Sequence, residues 1–181
     1  MIWGQDNPSL LQMAVPSLNI APDARGGGMG DMGAATLPDI NSQYWNAAKY
    51  AFMGSKAGVS LSYTPWLRKL VNDVALVNMT GYYKLGNSDL QAISASLRYF
   101  SLGEVNIWEN IGDVPYGLNP YEMAFDVAYS RKLSESYSMA VTLRYIRSDM
   151  GTDQNDESNA GNAFSADISG YLEKYVLMGN A

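Results

Sequence analysis

From about residue 55 onward, apolar and polar side chains alternate with a period of two, which is typical of strands whose two faces meet different surroundings. The clearest case runs from Gln91 to Phe100, where Ile, Ala, Leu and Tyr occupy one face and Ala, Ser and Arg the other. The pattern predicts six strands, at 57–63, 72–84, 91–100, 121–132, 137–148 and 164–172. The chain is therefore expected to be all-β, with antiparallel strands.

The strand lengths and connections favour a membrane barrel. Most predicted strands have ~10 residues or more, which suits a tilted membrane-spanning strand, whereas globular sheets use about 5 or 6. Tight turns at 85–89 and 133–136 alternate with long polar connections at 101–120 and 149–162, as in outer-membrane barrels. Tyrosines collect near strand ends, as in an interfacial girdle: Tyr63, Tyr83, Tyr99, Tyr121, Tyr137 and Tyr145.

A soluble β-sandwich is the alternative fold, because its strands alternate in the same way. Its apolar face would be a core rich in Val, Ile, Leu and Phe, however, and the apolar face here mixes Ala, Met and Tyr. A partial antiparallel transmembrane barrel is the favoured interpretation.

The first 54 residues lack this alternation. Pro16, Pro22, Pro38 and a run of glycines argue against long regular elements, and only 46–52 is predicted to be a short helix, with Asn41 and Ser42 as candidate caps. Ahead of a barrel, such a segment is expected to plug the lumen or to form a periplasmic tail. The expected organisation is a plug-like segment at 1–54 and barrel strands at 55–181.

Composition removes several classes of function. The 181 residues carry a net charge of −6 and include no histidine and no cysteine, which excludes His-based relays, His metal sites, disulfides and cysteine-bound metals. The 12 basic residues are scattered, which argues against nucleic acid as a partner. We expect no enzymatic activity, no catalytic residue and no cofactor.

Charged side chains within the strands form the first candidate site. Arg98, Asp126 and Arg144 lie mid-strand on the polar face. In a barrel they would line the lumen, where we expect them to pair with each other or with the N-terminal segment.

A second candidate lies between the first two strands, where Trp66, Arg68 and Lys69 combine an indole with two cations. This segment is interpreted as an interfacial anchor or as a docking element for a partner or a lipid headgroup.

Three weaker patterns are not expected to carry chemistry. Gly28, Gly30 and Gly33 match G-x-G-x-x-G, but no strand is predicted before them, so a glycine-permitted path inside a lumen is preferred over nucleotide binding. Two acidic loops complete the set. The first loop has the oxygen ligands that calcium would use, but it lacks the residue order of an EF-hand, so it is interpreted as a solvated surface loop. In the second loop nothing fixes the separation of the carboxylates, as glycoside hydrolysis would require. Their residues are Asp149, Asp153, Asp156 and Glu157 in the first loop, and Glu104, Glu109 and Asp113 in the second.

Six segments, in this order along the chain, together resemble a known family. They are NIAPDAR at 19–25, GMGD at 28–31, NSQYWNAAKY at 41–50, SYTPWL at 62–67, SLRYFS at 96–101 and RYIRSD at 144–149. They are similar to the PorV family, an outer-membrane barrel of the type IX secretion system in Bacteroidetes-type bacteria, over roughly residues 14–170. The glycine-rich and Trp-Asn-Ala-Ala stretches alone would indicate only the wider FadL-like barrel group. The residues that carry the plug motif are Pro22, Asp23, Arg25, Gly28, Gly30, Asp31, Trp45 and Asn46.

The resemblance implies a fourteen-stranded FadL-like barrel with an N-terminal plug in the Gram-negative outer membrane. It implies cargo with a C-terminal secretion domain, received from a translocon barrel and delivered to an attachment complex with a PorU-type sortase. Outer-membrane lipid or lipopolysaccharide is a further expected partner. Lipopolysaccharide deacylation is not expected, because the sequence supplies no nucleophile–base pair. The alternative function is FadL-like transport of hydrophobic ligands.

The strand count bears on the length of the protein. Six strands are fewer than the ~8 of the smallest membrane barrels, and the N-terminus lacks the basic start and apolar run of a signal peptide. We therefore expect the chain to be the front part of a larger barrel and its sheet to be open.

Overall fold

One antiparallel sheet of six long strands dominates the computed structural model, which describes residues 15–66, 73–86, 89–107, 116–152 and 158–174. In chain order the strands are β1 Ala57–Pro65, β2 Val74–Leu85, β3 Gln91–Leu102, β4 Val105–Ile107, β5 Tyr116–Leu118, β6 Tyr121–Lys132, β7 Tyr137–Thr152 and β8 Ser158–Leu172. The sheet order is β1-β2-β3-β6-β7-β8, and β4 and β5 form a separate two-stranded ladder. The predicted all-β antiparallel architecture and its six long strands are confirmed.

Two of the predicted long loops are wrong in extent. The connection at 101–120 contains β4 and β5, and most of 149–162 is strand, because β7 runs to Thr152 and β8 begins at Ser158. The ladder continues there through polar residues, with a register shift between Asp149 and Thr152. Backbone pairing does not require the apolar alternation from which the strand ends were predicted.

The sheet is open, as expected. Within the described residues, β1 pairs only with β2 and β8 pairs only with β7. Most side chains of β8 from Gly161 to Gly170 are exposed on both faces of the sheet. The described strands thus form an arc with two free edges.

Short helical turns make up the N-terminal segment, residues 15–56. They are the 3-10 helix η1 Pro16–Asn19, the α-helices α1 Ala24–Gly28 and α2 Ser42–Trp45, and the 3-10 helix η2 Ala47–Phe52. The predicted helix at 46–52 is present as η2, but the expected caps are wrong: the side chain of Asn46 accepts a hydrogen bond from the Ala48 N–H, and Asn41 makes no side-chain cap. No helix in the described part of the chain is long and apolar enough to cross a bilayer.

The core lies between η2 and the sheet. Its buried members are mostly small: Ala47, Ala48, Tyr50, Tyr82, Ala92, Ala128, Ala140 and Tyr171. Short side chains on both surfaces let η2 approach β6 and β7 closely. The rings of Tyr50 and Tyr82 stack with centroids 4.9 Å apart. This contact fixes the N-terminal segment against one face of the sheet.

Candidate functional site

The two faces of the sheet differ in chemistry. The face that contacts the N-terminal segment, which we call the inner face, carries polar side chains, and the opposite outer face is apolar. The buried polar residues of the inner face are Asn78, Thr80, Lys84, Ser94, Ser96, Arg98, Glu122, Asp126, Ser130, Ser138 and Thr142. Buried polar groups destabilise a fold unless they are hydrogen-bonded, so their partners define the site.

Arg98 and Glu122 hold η1 by its backbone. Arg98 is 4% exposed, and its Nη1 donates to the carbonyl oxygens of Ser17 at 2.9 Å and Ile20 at 3.1 Å. Its guanidinium carbon lies 4.5 Å from the ring centroid of Tyr44. From β6, Glu122 Oε2 accepts a hydrogen bond from the Ser17 N–H at 3.0 Å. Such charge-assisted bonds are stronger than neutral ones, so this pair is the main polar attachment of η1.

A second polar group runs across the strands of the inner face. Arg144 donates from Nε to Asp126 Oδ1 at 2.7 Å and from Nη2 to Oδ2 at 3.4 Å, and Ser96 Oγ donates to Asp126 Oδ2 at 3.2 Å. Arg144 Nη1 also lies 3.7 Å from Asp167 Oδ2 on β8. We call these four residues the polar chain. Asp126 and Arg144 thus pair with each other, while Arg98 contacts the N-terminal segment; that all three line a barrel lumen stays a prediction.

Trp45 organises the glycine-rich part of the N-terminal segment. Its Nε1 donates to Asp23 Oδ1 at 3.1 Å, and Asp23 Oδ2 accepts from the Gly26 N–H at 2.7 Å. A Cβ atom added at Gly26 would lie 2.7 Å from the indole, and one added at Gly33 only 2.1 Å from it. Both glycines are therefore required by the close approach of this ring.

The other plug-motif residues divide between contact and solvent. Arg25 Nη1 forms an ion pair with Asp39 Oδ2 at 3.2 Å. Gly28, Gly30 and Asp31 are exposed, with positive φ angles at Gly30 and Asp31. This loop follows α1 rather than a strand, so it lacks the geometry of a dinucleotide cradle.

Three hydrogen bonds attach the N-terminal segment to strands on both sides of the Arg98–Glu122 pair. On β1, Ser62 Oγ donates to the Pro22 carbonyl at 2.6 Å. On β8, the Gly170 carbonyl accepts from Asn46 Nδ2 at 3.0 Å. On β7, Ser138 Oγ donates to a carbonyl of η2 at 2.7 Å. The segment is anchored across the whole width of the sheet.

Lys49 is a buried cation within the segment. Its side chain is fully covered, and Nζ donates to the Gly33 carbonyl at 2.8 Å and to Thr36 Oγ1 at 3.1 Å. Burial lowers the pKa of the Lys49 ammonium, and the Asp39 carboxylate partly opposes that shift. The ammonium stabilises the path of the glycine-rich loop.

Tyr50 is the buried hydroxyl next to it. Its phenol donates to the Ile40 carbonyl at 2.8 Å and accepts from the Gln43 N–H at 2.9 Å. Burial raises the pKa of Tyr50, so the phenol stays neutral over a wide pH range. The ring thus joins α2 to η2.

The docking candidate between β1 and β2 is only partly described. Trp66 is 39% exposed, and its backbone N–H donates to the Val74 carbonyl at 2.9 Å. Arg68 and Lys69 lie outside the described residues, as do Glu109, Asp113, Asp153, Asp156 and Glu157 of the acidic loops. In the part of the chain that the structure describes, no group of three or more Asp or Glu side chains could hold a metal ion.

Sequence reasoning missed several residues of the site, among them Glu122, Tyr44 and Lys49. Glu122 could be assigned to the polar face of its strand, but nothing in its spacing marked it apart from other polar residues. Lys49 lies in an alanine-rich helix, where one lysine is usually solvated. No local signal distinguishes these residues, because their partners are distant in the chain.

The outer face carries an apolar band between two ends that contain tyrosine and arginine. Exposed apolar side chains of the band are Val59, Leu61, Met79, Ile93, Leu97, Phe125, Val127, Val141, Leu143 and Ile168. The charged residues of this face, among the described strand residues, are Arg131 at the end with the short turns and Arg147 and Asp149 at the other. Tyr99 and Tyr121 stack near that second end, with centroids 5.5 Å apart.

The family model described as "Type IX secretion system protein PorV" matches residues 4–178. The matched region contains the N-terminal segment and all six long strands. No curated protein matches the sequence.

Proposed function

Because this chain belongs to the PorV family of type IX secretion system proteins, we propose that it acts in the outer membrane as a non-enzymatic component. In this role it binds cargo that carries a C-terminal secretion domain and anchors the attachment complex at the cell surface. Its proposed partners are the translocon barrel, a PorU-type sortase and outer-membrane lipid or lipopolysaccharide.

The apolar band of the outer face is the observation that carries the membrane proposal. Arg131 and Met123, which pairs with Arg147, lie at the two ends of the band in β6. Their separation along the strand is about 27 Å at 3.4 Å per residue, and a strand tilt near 40° reduces it to about 21 Å of membrane depth, close to the apolar height of outer-membrane barrels. A soluble sandwich would not leave such a face uncovered.

A binding role is supported by how the polar side chains are used. Arg98, Asp126 and the Oε2 of Glu122 form hydrogen bonds with the N-terminal segment or with neighbouring strands, whereas Glu122 Oε1 is buried with no partner among the described residues. The absence of histidine and cysteine from the sequence removes the commonest nucleophile–base relays. The proposed work of this protein is therefore recognition and scaffolding.

The connection at 101–120 is the proposed cargo-binding element, since its described residues 105–107 and 116–118 pair as a ladder separate from the main sheet. Deleting residues 101–120 in the protein of its native host, with β3 and β6 rejoined by a short glycine-containing turn, should abolish surface delivery of cargo and leave membrane insertion intact. Delivery is measured as cargo released by surface protease, and insertion as heat-modifiable migration on a gel.

A matched control replaces the turn Leu133–Ser136, at the opposite end of the sheet, with another four-residue turn. This variant should deliver cargo normally. Normal delivery by the 101–120 deletion would remove this connection from the proposal.

Transport of a hydrophobic ligand is the second proposal, because an apolar groove borders the N-terminal segment. It has a volume of about 340 Å³ and is lined by Val15, Ile146, Met150 and Ala163 among others. Binding of a fatty acid to the purified protein, with cargo export intact in a deletion strain, would favour transport over secretion.

A further inference from the structure

Arg147 occupies an unusual position on the outer face. Most side chains of that face are apolar, and Arg147 lies at the band's end, beside the long connections. Its one ion-pair partner in the described residues is Asp149, whose Oδ2 is 3.6 Å from Nη2. Exposed pairs of this kind contribute little free energy, so the pair does not by itself explain a cation on an apolar face.

The surroundings of Arg147 supply further polar groups. Its guanidinium interacts with the phenol groups of Tyr121 and Tyr145 through side-chain hydrogen bonds, and its cross-strand neighbour on β8 is Asn162. Tyr145 Oη donates to Asn162 Oδ1 at 2.7 Å, which leaves the Asn162 amide nitrogen pointing away from that bond with two N–H donors. Polar side chains of three neighbouring strands, β6, β7 and β8, therefore lie side by side on the outer face.

The guanidinium keeps donors for a ligand. The Asp149 contact exceeds hydrogen-bond distance, and the guanidinium carries five N–H donors, more than the phenol oxygens of Tyr121 and Tyr145 engage. Its Nε is buried without a hydrogen-bond partner among the described residues, so the donors left for a ligand are on Nη1 and Nη2. The side chain as a whole is 37% exposed. A planar fork of this kind matches the oxygens of a phosphate group.

We propose that Arg147, with Tyr121 and Asn162, binds the phosphate of a membrane-lipid headgroup. This inference rests on the proposed membrane location. The lipid's acyl chains would lie along the apolar band, and the phosphate would lie at the level of the tyrosines, where headgroups meet protein. Charge complementarity selects a phosphate-bearing lipid over an uncharged one, and Asp149 weakens the site by repelling the anion.

Native mass spectrometry of the protein extracted from membranes in detergent tests the site. The probe is dioleoylphosphatidylglycerol, and dioleoylglycerol has the same acyl chains without the phosphate. Arg147→Gln should lower retention of the phospholipid at least fivefold and leave retention of dioleoylglycerol unchanged. Lys56→Gln, which removes one exposed positive charge ahead of β1, should retain the phospholipid as the wild type does.

A second variant leaves Arg147 in place, so the inference can still be tested if Arg147→Gln fails to fold. Asp149→Asn should raise phospholipid retention about twofold or more; an unchanged or lower retention overturns the inference. Millimolar inorganic phosphate should leave the lipid bound, and displacement by it would show a site for free phosphate instead.

The two proposals fail in different ways. If the wild-type protein stays soluble and folded without detergent, the membrane proposal is wrong. If the protein requires detergent but Arg147→Gln retains as much phospholipid as the wild type, only the headgroup site is wrong.

Discussion

At the scale of single residues, Trp45 explains two glycines of the N-terminal segment. The indole lies against Gly26 and Gly33 at distances that leave no room for a Cβ atom. Gly28, in the same glycine run, has open space around it. The motif therefore contains glycines with different physical roles.

Gly33→Ala should destabilise the folded protein by about 2 kcal/mol or more, because the new methyl group overlaps the Trp45 ring. Gly28→Ala is the control, and its stability should change by less than about 1 kcal/mol, since Ala is favoured over Gly in a helix. The stability of each variant is measured as the urea concentration at which half of the protein loses the gel migration of the folded form. Equal midpoints for the two variants would contradict the role of Trp45.

Lys49 should make stability depend on pH. Its pKa is lowered by burial from 10.5, so between the lowered value and 10.5 the unfolded chain binds more protons than the folded chain. Stability therefore rises with pH through that window, by up to about 1.4 kcal/mol per pH unit, and is lost as pH falls through the folded pKa.

The measurement compares the wild type with Lys49→Met between pH 7 and pH 10. The upper limit avoids Tyr50, whose raised pKa lowers stability once the unfolded phenol ionises near 10.0. The wild type should gain stability relative to Lys49→Met as the pH rises. A constant difference would mean that Lys49 stays protonated in the fold throughout.

At the scale of elements, the polar chain ties together four neighbouring strands. Ser96, Asp126 and Arg144 are in register on β3, β6 and β7, and Arg144 reaches Asp167 on β8. Strands with polar inner faces cannot rely on apolar packing for register. The polar chain fixes the register of these strands through paired charges.

Replacing only one residue of the Asp126–Arg144 pair should lower the stability of the protein more than replacing both. Arg144→Met leaves the Asp126 carboxylate buried without its cation and should destabilise by about 2–4 kcal/mol. Adding Asp126→Leu should recover at least half of that loss. A double-mutant cycle of urea midpoints measures the coupling, and additive effects would show that the pair does not interact.

At the scale of the whole molecule, the N-terminal segment and the sheet form one packed unit. Anchors on β1, β3, β6, β7 and β8 hold the segment, and Lys49 and Tyr50 are fully buried within it. A segment held at so many points acts as a fixed part of the fold under the secretion proposal, whereas the transport proposal requires it to move.

A reversible crosslink separates these two proposals. The sequence has no cysteine, so Ala48→Cys with Ser138→Cys introduces the sole pair, at a site where Ser138 Oγ lies 2.7 Å from the Ala48 carbonyl. Oxidation should leave cargo delivery unchanged, and each single variant is a control. Loss of delivery on oxidation, with recovery on reduction, would show that the segment must move.

Much of the candidate site could be predicted from mid-strand charges. Arg98, Asp126 and Arg144 stand out because charged residues are rarely placed within strands unless they are paired, and all three lie on the inner face. The β4–β5 ladder, the end of β7 and the start of β8 could not be predicted, because they depend on backbone pairing rather than on side-chain alternation.

The sequence by itself determined the six long strands, which side of five of them is polar, and the short helix at the end of the N-terminal segment. These follow from local periodicity, since alternate side chains of a strand point to opposite faces. Only the tertiary structure decided that Glu122 meets Ser17, 105 residues away, and that Arg98 meets Ile20, 78 residues away. Such pairs arise when the sheet's register and the docking of the segment bring distant residues together, and no local pattern encodes that meeting.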